Sequence, residues 1–207
     1  SPDGDAMGST LALYHFLLKL NHNPIVISPN EFPNFLAWLP GSETVLIYEN
    51  DKENGTKILN EAELVFTLDF NALHRTGEME QVLNKLSAPM IMIDHHQKPD
   101  IYATVTYSDT SIGSTCEMIY DFIVQSGHSN LINLDIATCL YTGLMTDTGS
   151  WASQKIYVDG VAQSLTCRVS VNNCTDAQNR SFNANGDFVL MDNPNASNTW
   201  NAKADVG

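Results

Sequence analysis

Asp94, His95 and His96 follow the apolar run Ile91-Met92-Ile93, so a strand-like segment ends in one carboxylate and two imidazoles. These groups bind metals and move protons. Side chains alternate across a strand, so adjacent histidines at its end point to opposite faces and at least one should leave the core. A polar strand end that merely turns is the plainer reading, but acidic residues recur in the same setting elsewhere in the chain. Pro2-Asp3-Gly4-Asp5-Ala6-Met7-Gly8-Ser9 holds two carboxylates two apart, among glycines that let backbone approach a ligand closely. Leu64-Val65-Phe66-Thr67-Leu68 leads into Asp69-Phe70-Asn71, and a mostly apolar stretch from Leu140 ends in Thr146-Asp147-Thr148-Gly149. Any one of these aspartates could be a helix cap or a turn residue. With the histidines they form a mixed carboxylate and imidazole set, which suits a hard or borderline divalent ion such as manganese better than a structural zinc site.

These residues need elements to position them, and the hydrophobic pattern supplies candidates. Leu11, Leu13, Phe16, Leu17 and Leu20 predict an amphipathic helix over 7–20, beginning directly beneath a loop that carries Asp3 and Asp5. Strands are expected at 24–28, 45–48, 64–68, 90–93 and 103–107, with helices at 56–62, 77–86, 113–126 and 133–145. Strands alternating with helices through short connections specify an α/β fold with a mainly parallel sheet flanked by helices. Ligands of such sheets gather outside the carboxyl ends of the strands, where Asp69 and Asp94-His95-His96 fall.

Net charge is −14 over 207 residues. Residues 1–151 carry 6 Lys and Arg against 19 Asp and Glu, so the acidity lies there and duplex nucleic acid is an unfavourable partner. Small phosphorylated substrates stay compatible if bound cations reverse the local field. No apolar run has the length of a membrane span and no signal peptide is visible, although the first residue is not methionine. Cys116 and Cys139 lie in apolar helical contexts without metal-ligand spacing and read as reduced core thiols of a cytoplasmic protein.

Taken together, Asp3-Gly4-Asp5-Ala6-Met7-Gly8-Ser9, Asp69-Phe70-Asn71, Asp94-His95-His96 and Thr146-Asp147-Thr148-Gly149 resemble the four ordered motifs of the DHH phosphoesterases. Within that superfamily the resemblance is closest to oligoribonucleases that degrade very short RNAs and dephosphorylate 3′-phosphoadenosine 5′-phosphate, and it runs from residue 1 to about 151. It implies metal-assisted hydrolysis of phosphoesters with two divalent ions, manganese first and magnesium or cobalt as alternatives. By resemblance Asp69 bridges the ions, Asp3 serves one, and Asp5, His95 and Asp147 complete the other. His96 faces the substrate and Asp94 holds a histidine ring. The implied substrates are short single-stranded RNA or phosphorylated nucleotides, and a homodimer is compatible. A cyclic dinucleotide phosphodiesterase and a catalytically incomplete metal- or nucleotide-binding remnant stand as alternatives.

Two further features belong beside the site. Arg75 could clamp a phosphate oxygen, or could pair with Glu78 or Glu80 at the surface. Ser114 and Thr115 open a helix and could present backbone amides to an anion, or could act as an ordinary N-cap.

The chain also departs from the family pattern. The family's first motif carries a histidine four residues before the first aspartate, upstream of Ser1, so the domain is expected to lack one ligand and the first strand of its sheet. All six histidines precede residue 129, and a histidine-containing nucleotide-gripping domain is not recognisable after the fourth motif. Instead, residues 152–207 form an Asn-rich, β-prone tail, compatible with a fused piece of a secreted protein. Asp159-Gly160 and Asn185-Gly186 are hairpin signals that pair 156–158 with 161–163, and 181–183 with 187–190. Cys167 and Cys174 could close a disulfide in an oxidising compartment or remain free thiols. Asn173, Asn179 and Asn195 begin N-x-[ST] sequons, for which the high asparagine content is sufficient explanation.

Overall fold

The structure is a computed structural model, which describes residues 1–147 and, beyond them, the backbone of 152–158, 161–167, 173–175 and 181–183. The chain divides into two units, Ser1–Asp147 and Thr148–Gly207. The first is an α/β unit with parallel strands, as the pattern predicts. Strand β1 (Ile27–Ser28) pairs in parallel with β2 (Leu46–Ile47). A second parallel sheet has the order β3 (Val65–Leu68), β4 (Met90–Asp94), β5 (Val105–Ser108). Its register matches Leu68 to Ile93 and Asp94 to Ser108, so the carboxyl ends of all three strands finish at one rim.

The central strand β4 is buried on both faces, which is why it reads as a continuous apolar run rather than an alternating one. Helices α1 (Gly4–Lys19), α4 (Thr115–Gln125) and α5 (Leu134–Asp147) pack against one another, α1 also against β3 and α4 against β4, and Leu11, Phe16, Met92, Ile93, Met118, Ile119, Ile136 and Leu140 are almost wholly buried. The rings of Phe16 and Phe66 both meet Phe122 edge-on, at centroid distances of 6.4 and 6.3 Å. A second cluster gathers Tyr48, Leu59, Leu73, Met79, Leu83 and Met90 beneath α2 (Lys52–Glu61) and α3 (Glu80–Leu83).

Several boundaries move for identifiable reasons. Helix α1 starts at Gly4 rather than 7, because the Asp3 side chain caps it by accepting from the amides of Asp5 and Ala6. Asp5 therefore stands in the first helical turn, not in a loop. Helix α2 begins at Lys52, capped by Asp51. The helix expected over 77–86 is instead a 3₁₀ segment, Leu73–Met79, followed by the single turn α3, since Gly77 adopts φ 61° and breaks the helical path.

In the second unit, β6 (Ala152–Val158) pairs antiparallel with β7 (Val161–Cys167), with Val158 opposite Val161 as the Asp159-Gly160 signal predicts. Strand β9 (Ser181–Asn183) pairs with β8 (Asn173–Thr175), and its expected partner 187–190 lies outside the described residues. The side chains of Cys167 and Cys174 are also outside them. Among the described residues, no helix is long and apolar enough to cross a membrane.

Candidate metal centre

The rim of the β3–β4–β5 sheet receives carboxylates from three directions. Asp69 follows β3 and has φ 62°, a left-handed conformation that aspartate tolerates better than most residues and that lets the chain turn immediately after the strand. Asp94 ends β4, and His95 and His96 follow it. Asp5 comes from the first turn of α1 and Asp147 from the last residue of α5.

These elements approach because α1 and α5 meet through glycines. A Cβ on Gly8 would lie 2.5 Å from the carbonyl oxygen of Cys139, and one on Gly143 would lie 2.8 Å from Asp5 Oδ1. Both are closer than packed atoms allow, so only glycine fits and the two helices bring Asp5 and Asp147 to the same place.

At the centre is His95 Nε2, which lies 3.3 Å from Asp147 Oδ2, 3.7 Å from Asp69 Oδ1 and 3.8 Å from Asp5 Oδ2. It is buried and makes no hydrogen bond. A buried ring nitrogen without a hydrogen-bond partner, close to three carboxylate oxygens, is an arrangement that a cation between them would satisfy. The donor atoms fall into two overlapping groups, Asp5 with His95 and Asp147, and Asp69 with His95 and His96, each with its donors within 4.8 Å of one another. This observation of an orphaned buried donor among convergent oxygens fits a divalent ion held by oxygen and nitrogen. Asp3 lies outside both groups, its carboxylate engaged at the start of α1.

The electrostatics agree. Burial, then the charges of Asp5 and Asp3, push the Asp69 carboxyl up to about 9, against a hydrogen bond from Thr115 that lowers it. Burial and the charge of Asp5 likewise raise Asp147, while His95 lowers it. Without a cation, the cluster is a set of mutually repelling acids.

His96 is held differently. Wholly buried Asp94 accepts from the His96 backbone amide at 3.0 Å and faces its Nδ1 at 2.7 Å. A carboxylate only accepts, so Nδ1 carries the proton and Nε2 remains the available nitrogen. Asn71 braces the following loop, donating from its side chain to the Gln97 carbonyl and accepting on its own carbonyl from the Asp100 amide.

The other anticipated residues separate. Arg75 is exposed, and it lines the same groove as Asp3, Asp69 and His96, a cavity of about 1280 Å³. No ion pair joins it to Glu78 or Glu80 among the described residues, and Glu78 pairs with Lys52. Ser114 is the N-cap of α4, its hydroxyl accepting from the Glu117 amide. The anion met by the amides of Thr115 and Cys116 is the Asp5 side chain, at 2.6 and 2.9 Å. Sequence reasoning missed Cys116, Gly8 and Gly143 as parts of the site. Their contribution is a backbone amide and an absent side chain, and only the spacing of small residues on α1 and α5 could have signalled it.

The family model described as "DHH family, N-terminal domain" matches residues 1–144. The chain is 32% identical over 150 residues to a bifunctional oligoribonuclease and PAP phosphatase of Thermus thermophilus, covering 72% of this chain and 41% of that protein. It is 25% identical over 161 residues to a cyclic-di-AMP phosphodiesterase of Bacillus subtilis, covering 73% and 24% respectively. The crystal structure of an exopolyphosphatase-related protein from Bacteroides fragilis superimposes with a TM-score of 0.71 at 45% identity, covering 72% of this chain and 44% of that one. The chain spans less than half the length of the curated relatives it matches. The family model matches well over half of this chain, and the chain belongs to the DHH family.

Proposed function

We propose that residues 1–151 form the metal-binding half of a phosphoesterase acting on short oligoribonucleotides or 3′-phosphorylated nucleotides, with 152–207 a separate β-rich unit. The observation that carries the reading is the unpartnered His95 Nε2 facing three carboxylate oxygens from α1, the β3 end and α5. Asp5, His95 and Asp147 are assigned to one divalent cation. Asp69 would be shared with a second cation, which, on the resemblance, Asp3 would also serve. The ions are manganese first, with magnesium or cobalt as alternatives, because oxygen-rich sites with one imidazole accept all three. Bound cations would supply Lewis acidity to the scissile phosphate and acidify the attacking water.

The chain's own residues do the rest. His96, its Nδ1 fixed on Asp94, lines the groove and would use Nε2 to contact the phosphate or assist the departing oxygen. Arg75 is suited to gripping a second phosphate oxygen from the groove wall. The excess of acids disfavours duplex nucleic acid, and buried free thiols at Cys116 and Cys139 suit a cytoplasmic setting.

The test is release of product, by the full chain with added Mn²⁺, from a linear dinucleotide, from 3′-phosphoadenosine 5′-phosphate and from a cyclic dinucleotide. Turnover of either of the first two is expected, and Asp69→Ala with Asp147→Ala should abolish it. Turnover surviving the double substitution contradicts the metal assignment. Turnover of the cyclic substrate alone moves the substrate class toward that of the Bacillus relative.

A further inference from the structure

Asp5 and Asp69 come from elements far apart in sequence, yet one residue of a third element touches both. Thr115, wholly buried at the start of α4, donates its backbone N–H to Asp5 Oδ2 at 2.6 Å and its hydroxyl to Asp69 Oδ1 at 2.9 Å. The next amide, that of Cys116, donates to Asp5 Oδ1 at 2.9 Å. The oxygens that Thr115 touches are the same two that face the unpartnered His95 Nε2. They also belong to different donor groups, Asp5 to the one with Asp147, and Asp69 to the one with His96.

From this we infer that Thr115 is the positioning residue that sets the spacing between the two cation sites, and that it acts on metal binding rather than on substrate. The inference rests on the metal-binding reading above. Its physical basis is that a carboxylate whose second lone pairs are already committed to fixed donors keeps one rotamer and directs its remaining lone pairs at the ion. The amides of Thr115 and Cys116 hold Asp5 on both oxygens, which fixes the direction of its remaining lone pairs. The hydroxyl does the same for Asp69, tethering it to the element that holds Asp5. Thr115 therefore has no donor left for a substrate phosphate.

The test compares Thr115→Ser with Thr115→Ala, a pair that differs only in the hydroxyl, and adds Thr115→Val as the isostere that preserves packing. Calorimetric titration with Mn²⁺ alone gives affinity and stoichiometry, and thermal unfolding of the metal-free proteins gives stability. Thr115→Ser should bind two ions within about threefold of the parent, while Thr115→Ala and Thr115→Val should lose roughly 10–100-fold in affinity at one or both sites. Valine and alanine variants that bind Mn²⁺ as the parent does, changed only in metal-free Tm, would reduce Thr115 to a packing residue and overturn the inference alone. A parent protein that binds no divalent ion would overturn both this inference and the metal-binding reading.

Discussion

Replacing Asp69 with asparagine should make the metal-free protein more stable and at the same time nearly abolish divalent-ion binding. The substitution keeps size, keeps an acceptor for the Thr115 hydroxyl, and keeps a residue type that tolerates the φ of 62° at this position. What it removes is a charge pressed by burial and by Asp5 and Asp3, which raise the Asp69 carboxyl from 3.8 to about 9. A carboxyl whose pKa is higher in the folded than in the unfolded chain stabilises folding fully below the unfolded value, and that contribution is lost as pH rises through the folded one. The metal-free parent should therefore lose Tm relative to Asp69→Asn as pH climbs from about 4 toward about 9. The raised Asp147 adds a slope of the same sign to both proteins. Mn²⁺ should reverse the ranking, because only the parent offers the anionic ligand. The affinity loss should exceed the roughly 10–100-fold typical of losing a group that merely orients a ligand. Unfolding curves at pH 5 and 8, with and without Mn²⁺, check both halves. A variant less stable than the metal-free parent at pH 8 would contradict the electrostatic account.

Gly8→Ala should destabilise the unit formed by Ser1–Asp147, although helix propensity alone predicts the opposite. In an exposed helix, alanine is better than glycine by about 1 kcal/mol. At position 8, however, the new methyl would lie 2.5 Å from the Cys139 carbonyl oxygen, which is α5 backbone and cannot rotate away. Overpacking of this kind costs about 2–3 kcal/mol net, a fall of roughly 5–10 °C in Tm for a unit of this size. Relief of the clash moves α5 away from α1, and with it Asp147 away from Asp5 and His95, so Mn²⁺ affinity should fall as well. The sign of the Tm change is decisive. A rise would mean that the two helices do not approach as closely as the convergence of Asp5 and Asp147 requires.

Much of this architecture is written in local pattern. The short run Met90–Ile93 between turn signals reads as a buried strand, and the α/β pattern puts the residues after it at a sheet rim, where Asp69 and Asp94-His95-His96 fall. The start of α1 is expected at 7 rather than at Gly4 because Asp3-Gly4-Asp5 looks like a loop to a propensity argument. Gly4 and Gly8 are helical, and both face Thr146, Cys139 or Gly143 of α5, a contact that local sequence does not encode. The helix expected over 77–86 failed on a backbone detail, the positive φ of Gly77, that apolar spacing does not carry. Ser114 and Thr115 open a helix, as the N-cap reading expects, and the amides that are the alternative site for a substrate anion are taken by a side chain of the chain itself. That the anion is Asp5, 110 residues earlier, is a tertiary fact.

Asp5, Asp69, His95 and Asp147 are expected to hold divalent cations between them. Anomalous diffraction at the manganese edge, from crystals of the full chain grown with Mn²⁺, tests this most directly. Two peaks are expected roughly 3.5–4 Å apart, one in contact with Asp5, His95 Nε2 and Asp147 and the other sharing Asp69. An ordered site with no peak in contact with these four side chains, or with manganese bound only elsewhere on the protein, would contradict it.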